Sequence, residues 1–349
     1  MLSQRLKAAK VAAGGGGQQF VAVAHLNTPF VTAYPWSASG FGTKFTDPGT
    51  LPTGTGRSVA FTAAGDALAV GHTTTPFITV YPWSVSGFGT KFSNPGTLPA
   101  GTGFGVAFNA ITSSIAVAHA TTPFISAYVW GGSGFGAKFS NPGTLPASTG
   151  RSVAFTKSST ASNAIAVGHT TTPFVTAYPW FGAVFGTKFT NPATLPAGEG
   201  SGVAFTPSGN ALAVAHVTTP FITAYPWSGS GFGTKFTNPG TLPTGTGLGV
   251  AFTPSGDAIA VAHGSSPRLS VYPWSGSGFG TKFSNPATLP AGDCFGVAFT
   301  ATGDAIAVAH ATSPFVTAYP WSGSGFGTKF TNPATLPTGQ GTGIAFGAI

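Results

Sequence analysis

The chain contains a single cysteine, Cys294, among 349 residues. One cysteine excludes an internal disulfide framework and a cysteine-based zinc site, so we interpret Cys294 as a small apolar residue beside Phe295. Charged residues are also scarce, at 6% of the chain, and no run of 18 apolar residues occurs. The sequence therefore predicts no membrane-spanning helix, and its N-terminus lacks the apolar core of a secretory signal.

The formal net charge of +8 is dispersed rather than collected in one segment. Three of the 14 basic residues, Arg5, Lys7 and Lys10, belong to the first 17 residues, which leaves 11. Seven of these recur once per repeat, as Lys44, Lys91, Lys138, Lys188, Lys235, Lys282 and Lys329. Nucleic-acid binding requires basic residues clustered in a patch or a stripe, so we expect no nucleic-acid partner.

What the sequence does contain is one motif repeated seven times. The motif Tyr-Pro-Trp, or its variant Tyr-Val-Trp, recurs at intervals of 47 residues, with a single interval of 50. All seven histidines keep the same spacing, at His25, His72, His119, His169, His216, His263 and His310. Such a period indicates a repeat architecture in which each unit packs against its neighbours.

Each unit reads as four short strands separated by Gly, Pro, Ser, Asn and Asp, and no segment has a helical period. Four strands per 40 to 50 residues are typical of a propeller blade. The sequence thus predicts an all-β chain, a seven-bladed β-propeller over residues 18–349, preceded by a basic tail with a glycine linker at 1–17. The first unit lacks its inner strand, and the chain ends in Gly343-Ile-Ala-Phe346, which supplies it. We therefore expect the C-terminal strand to close the ring in the first blade.

Alternation within the strands predicts how blades pack. In Ala258–His263 the large residues Ile259 and Val261 share one face with His263, and alanines occupy the other, so bulky and small faces should meet between blades. The segment Thr-Lys-Phe is predicted to be the outer strand, where a lysine at an exposed edge discourages aggregation. The phenylalanines of the Gly-Phe-Gly loops could either stack on sugars or tuck against a blade.

The polar residues offer no obvious catalytic or metal centre. Zinc ligands must converge on one ion, whereas seven equivalent histidines around a ring diverge, so we expect structural histidines that bond the following turn. Asp66, Asp257 and Asp304 share one turn position, which Asn occupies in two other repeats. Glu199 and Asp293 are too isolated to form a glycosidase pair. We expect no catalytic residue, no cofactor and no metal.

The loop before each inner strand varies most between repeats, and these loops should gather at one mouth of the central channel. The variable side chains of these loops form either a ligand-binding surface or a solvent-exposed face whose sequence has drifted. The candidate binding residues are Arg57, Phe104, Arg151, Glu199, Leu248, Asp293, Phe295 and Gln340.

The N-terminal tail has a weak helical pattern, with Leu2 and Leu6 on one face. Thirteen residues form a marginal helix in isolation, so the tail either orders on a partner or remains a disordered leader. The candidate docking residues are Leu2, Arg5, Leu6, Lys7 and Lys10.

Two resemblances to known proteins follow from these motifs, and the first supports the fold alone while the second implies a function. Val250–Ala258 resembles the first hairpin of WD-repeat propellers and Val271–Trp274 their third strand, although the Trp-Asp pair is absent. Tyr319–Phe330 is similar to tandem-repeat proteins of tailed bacteriophages. That likeness implies a non-enzymatic virion protein, a tail or capsid decoration, that contacts other virion proteins through its tail and a host-surface glycan or protein through the propeller. The alternative is a lectin-like propeller, and an enzyme comes third.

Overall fold

The structure is a computed structural model that describes residues 17–349, apart from 110, 112, 157–162 and 182–183. The described residues form seven four-stranded antiparallel sheets and no helix. No described helix is therefore long and apolar enough to cross a bilayer. The predicted fold class is confirmed, and the tail residues Leu2, Arg5, Leu6, Lys7 and Lys10 lie outside the described part.

The blades are numbered by the order of their second strands along the chain. From blade 1 to blade 7, the inner strands are Gly341–Ala348, Gly56–Phe61, Gly103–Asn109, Gly150–Phe155, Gly200–Phe205, Gly247–Phe252 and Cys294–Phe299. The second strands are Gln19–His25, Ala67–His72, Ser114–His119, Ala164–His169, Ala211–His216, Ala258–His263 and Ala305–His310. The third strands are Val31–Ser37, Ile78–Ser84, Ile125–Gly131, Val175–Phe181, Ile222–Ser228, Leu269–Ser275 and Val316–Ser322. The outer strands are Gly40–Phe41, Gly87–Phe88, Gly134–Lys138, Val184–Phe185, Gly231–Phe232, Gly278–Phe279 and Gly325–Phe326.

The ring closes as the sequence predicts. The C-terminal strand pairs antiparallel with the second strand of blade 1, in a register that places Val21 opposite Phe346 and Val23 opposite Ile344. The first blade is therefore built from both ends of the described chain. Its second strand is paired with an inner strand, as in every other blade.

Neighbouring blades pack a bulky face against a small one. The alanines Ala211, Ala213 and Ala215 of blade 5 join one buried cluster with Ile259 and Val261 of blade 6. The same arrangement recurs at the other junctions, which confirms the alternation argument. The inner strands approach so closely that a Cβ added to Gly343 would lie 2.9 Å from the Cα of Ser58.

Each tryptophan is enclosed by phenylalanines from two blades. Trp83 packs edge-to-face on Phe61 and Phe88 of its own blade and on Phe45, which follows the outer strand of blade 1, at ring distances of 4.9–5.3 Å. Phe88 also contacts Tyr81 at 5.3 Å. The phenylalanines of the Gly-Phe-Gly loops are thus half-buried packing residues. This agrees with the prediction that they tuck against a blade.

The outer strand is not where the sequence placed it. Blades other than blade 3 have a two-residue outer strand that begins one residue before the repeat phenylalanine, and in these blades Thr-Lys-Phe follows the strand. Lys91 instead donates from Nζ to the carbonyl of Phe92 and to Oδ1 of Asn94. The backbone N–H of Phe92 still donates to the carbonyl of Val80 on the third strand, at 2.9 Å, while its ring packs on Trp130 of the next blade. The lysine therefore fastens a turn rather than protecting a strand edge.

Candidate functional site

A β-bulge at the start of every inner strand decides which side chains face the mouth of the channel. In blade 2, Gly56 pairs with His72 and Ser58 pairs with Gly71, so Arg57 is left without a partner in the ladder. A bulge redirects the side chain of the extra residue, here towards the mouth, which all seven bulge residues line. From blade 1 to blade 7, the bulge residues are Thr342, Arg57, Phe104, Arg151, Ser201, Leu248 and Phe295.

The residue before each bulge is glycine in six of the seven repeats, because the backbone of the preceding blade lies very close to it. A Cβ on Gly56 would lie 2.2 Å from the carbonyl oxygen of Phe30 in the preceding blade, so no larger residue fits without movement. One junction differs at both positions: Cys294 replaces the glycine, and Arg268 replaces the phenylalanine. Cys294 is fully buried, and burial raises the pKa of its thiol, in keeping with the predicted packing role.

The bulge residues and the loops beside them surround a cavity of about 320 Å³ at the mouth. It lies over a second cavity of about 200 Å³ that continues down the channel between the inner strands. Seven of the eight candidate binding residues line the mouth, namely Arg57, Phe104, Arg151, Glu199, Leu248, Phe295 and Gln340. The eighth, Asp293, is not among the lining residues and lies 3.9 Å from Nε of Arg268.

Sequence reasoning missed three lining residues, Ser201, Val217 and Thr342. Ser201 and Thr342 occupy the same repeat position as Arg57, so aligning the seven copies on the preceding glycine would have found them. Val217 follows the second strand of blade 5, and no sequence signal linked that loop to the mouth.

Charged groups concentrate on one side of the mouth. Arg151 donates from Nε to Oε1 of Glu199 at 2.6 Å, and its guanidinium carbon lies 4.7 Å from the centroid of the Phe104 ring. Arg57 has no such carboxylate, and its buried Nε has no hydrogen-bond partner within the described part of the chain. Burial, together with the charge of Arg151, lowers the pKa of Arg57. This guanidinium is therefore a ready site for an anion.

The histidines lie beside the bulges, but none of them lines the mouth cavity, and their contacts are structural. His72 is fully buried, and its Nε2 lies 2.9 Å from the hydroxyl of Thr79 on the third strand of the same blade. The hydroxyl bond goes to the neighbouring strand, and the backbone of Thr74, in the following turn that the sequence predicts as partner, also interacts with the ring. Within the described ranges, no group of three or more His, Cys, Asp or Glu side chains could hold a metal.

No protein-family model matches the sequence, and no curated protein matches it. Solved structures do match its shape. A periplasmic gluconolactonase from Pseudomonas aeruginosa superposes with a TM-score of 0.73 and 13% identity, over 95% of this chain and 99% of that one. A candidate 6-phosphogluconolactonase from Bacteroides uniformis gives 0.73 and 10%, over 95% and 100%. The β-propeller domain of Cps50 (Swd1) from Myceliophteria thermophila gives 0.57 and 12%, over 80% and 88%.

At these identities the likeness establishes the seven-bladed propeller. It also shows that the expectation of a non-enzymatic bacteriophage virion protein was wrong, since these matches include lactonases and no phage protein. The prediction that the chain is not an enzyme was wrong for the same reason. A regular repeat suggested a purely structural role, but a scaffold of identical blades can hold a site wherever single positions differ. The predicted virion location and partners rested on the same resemblance and stay untested predictions.

Proposed function

We propose that the chain is a hydrolase that opens the ring of a lactone carrying an anionic group, and that the mouth cavity is its active site. The observation that carries this proposal is the pairing, in one cavity, of an uncompensated guanidinium with a carboxylate. Arg57 offers a partly buried cation for the anion, and Glu199 is the one carboxylate among the described lining residues. Lactonases with the same fold support the choice of reaction.

Different lining residues perform different steps of the hydrolysis. Glu199 accepts a proton from a water molecule whose oxygen attacks the lactone carbonyl carbon, as a general base does. Negative charge develops on the carbonyl oxygen, and the guanidinium of Arg151 stabilises it by donating hydrogen bonds, while Arg57 holds the anionic group. The bond from the carbonyl carbon to the ring oxygen then breaks, and Glu199 returns the proton to that oxygen. The product is an open-chain hydroxy acid, so the step needs no oxidant and no further reactant.

Arg151 keeps Glu199 in place for this role. The ion pair and the ring of Phe104 hold Arg151 from two sides, so the carboxylate is oriented before the substrate arrives. Orientation of this kind lowers the barrier because the reacting groups need no further ordering.

Hydrolysis of 6-phosphogluconolactone and of glucono-δ-lactone, measured above the uncatalysed rate, tests the proposal. We expect Glu199→Gln to lower kcat roughly 10²-fold or more, as loss of a general base does. Arg57→Met should raise KM for the phosphorylated lactone more than for the neutral one. Lys235→Met removes a cation from the outer rim and should change neither. A wild-type rate equal to the uncatalysed rate, or a Glu199→Gln rate equal to the wild-type rate, would overturn the proposal.

A further inference from the structure

The mouth has two unlike halves, set by which residue occupies the bulge in each blade. Blades 2, 3 and 4 present Arg57, Phe104 and Arg151 in succession. Blades 6 and 7, on the far side of the ring, present Leu248 and Phe295, and Val217 of blade 5 adds a side chain that is 36% exposed. A ligand that spans the mouth therefore meets cations at one end and apolar side chains at the other.

We propose that the preferred substrate is amphipathic, an anion with an alkyl or aryl body, and that a polyhydroxylated sugar acid binds less tightly. This inference rests on the proposed function, since it assigns the substrate class of the same site. The anion lies against Arg57, and the apolar body lies against Leu248 and Phe295, where burial of apolar surface is favourable. The half-buried state of both side chains leaves area for a ligand to cover.

The polar residues of the mouth are too few to bind the hydroxyl groups of a sugar acid along the apolar half. The hydroxyl of Thr342 donates to the carbonyl oxygens of Gly56, at 2.7 Å, and of Ala24, at 3.1 Å, within the protein. Ser201 and Gln340 are the other uncharged polar side chains among the described lining residues. Sugar hydroxyls placed against Leu248 and Phe295 would lose their bonds to water without gaining partners, which is unfavourable.

Binding of two carboxylates, the alkyl carboxylate octanoate and the polyhydroxylated gluconate, tests the substrate class by calorimetry on the full chain. We expect octanoate to bind at least tenfold more tightly. Leu248→Ser and Phe295→Ser should each weaken octanoate binding roughly tenfold, as loss of one or two buried methylene contacts does, and should leave gluconate binding unchanged. Arg57→Met should weaken both. Val129→Ser removes an apolar side chain that is 40% exposed on the outer part of blade 3, and it serves as the matched control.

Equal affinity for the two carboxylates, or tighter binding of gluconate, would overturn this inference. Because no turnover is measured, that result would leave lactone hydrolysis standing if the kinetic test succeeds. Tight octanoate binding without any lactone turnover would instead overturn the proposed reaction and retain the ligand class.

Discussion

Nε of Arg151 lies 2.6 Å from Oε1 of Glu199, and this ion pair joins the inner strand of blade 4 to the loop before blade 5. Both side chains are about a third exposed or less, at 36% and 27%, and each lines the mouth cavity. The pair therefore connects two neighbouring blades at the place where we locate the chemistry.

Arg151→Met should lower kcat for lactone hydrolysis about tenfold or more and change KM less, because the carboxylate of Glu199 loses its orientation. The free energy of unfolding should fall by only about 1 kcal/mol or less, since solvent screens the pair. Arg268→Met removes an arginine that pairs with Asp293 outside the cavity, and it should leave kcat unchanged. Steady-state kinetics and urea unfolding measure both quantities, and an unchanged kcat in Arg151→Met would contradict the positioning role.

Trp83→Ala should lower the free energy of unfolding by about 3–5 kcal/mol, as removal of a buried aromatic side chain does. The indole is only 4% exposed and contacts phenylalanines of two blades, so the cavity left behind cannot collapse easily. Ser84→Ala, at the exposed next position, should cost less than about 0.5 kcal/mol. Urea unfolding of the two variants measures these changes. Similar decreases in the free energy of unfolding would show that the contacts between Trp83 and the phenylalanines contribute little.

Stability should fall as the pH drops from 6.5 towards 4. Burial lowers the pKa of all seven histidines from 6.5 to about 4, so the unfolded chain binds protons at a pH where the folded chain does not. Above about pH 6.5 the histidines are neutral in both states and do not reduce the free energy of unfolding. At pH 5 each histidine lowers the free energy of unfolding by about 2 kcal/mol. Together these losses approach the whole stability of an ordinary domain.

Urea unfolding at several pH values gives the number of protons taken up. We expect about six protons at pH 5, since nearly every histidine is charged only when unfolded. His72→Gln should reduce the number by about one. Uptake of one or two protons in the unmodified chain would mean that the histidines are already charged in the fold.

Truncation after residue 338 should destabilise the protein severely, because it removes the inner strand of blade 1 and exposes the edge of Gln19–His25. It also removes Phe346, whose ring lies 5.0 Å from that of Trp36. Deletion of Ile349 alone, a residue that is 47% exposed, should change the thermal midpoint by a few degrees at most. Matching midpoints for the two truncations would show that the C-terminal strand does not hold the ring closed.

Much of the fold could be predicted because the repeat presents every packing relationship seven times. The alternation in Ala258–His263 predicted which faces meet, and the missing strand of the first unit predicted the closure by Gly343–Phe346. The outer strand could not be placed, since Thr-Lys-Phe has the composition of a strand. Its phenylalanine keeps a backbone hydrogen bond to the third strand, and its ring packs on a tryptophan of the next blade, a contact that the sequence of one repeat does not contain.

The sequence by itself determined the number of blades, the order of strands and the positions where repeats differ, because these follow from periodicity and alternation. Only the tertiary structure decided which of the differing side chains meet. A bulge at one residue of each inner strand turns Arg57, Leu248 and their equivalents towards a common axis. A bulge depends on pairing with another strand, so its effect on side-chain direction exists only after the blades have assembled.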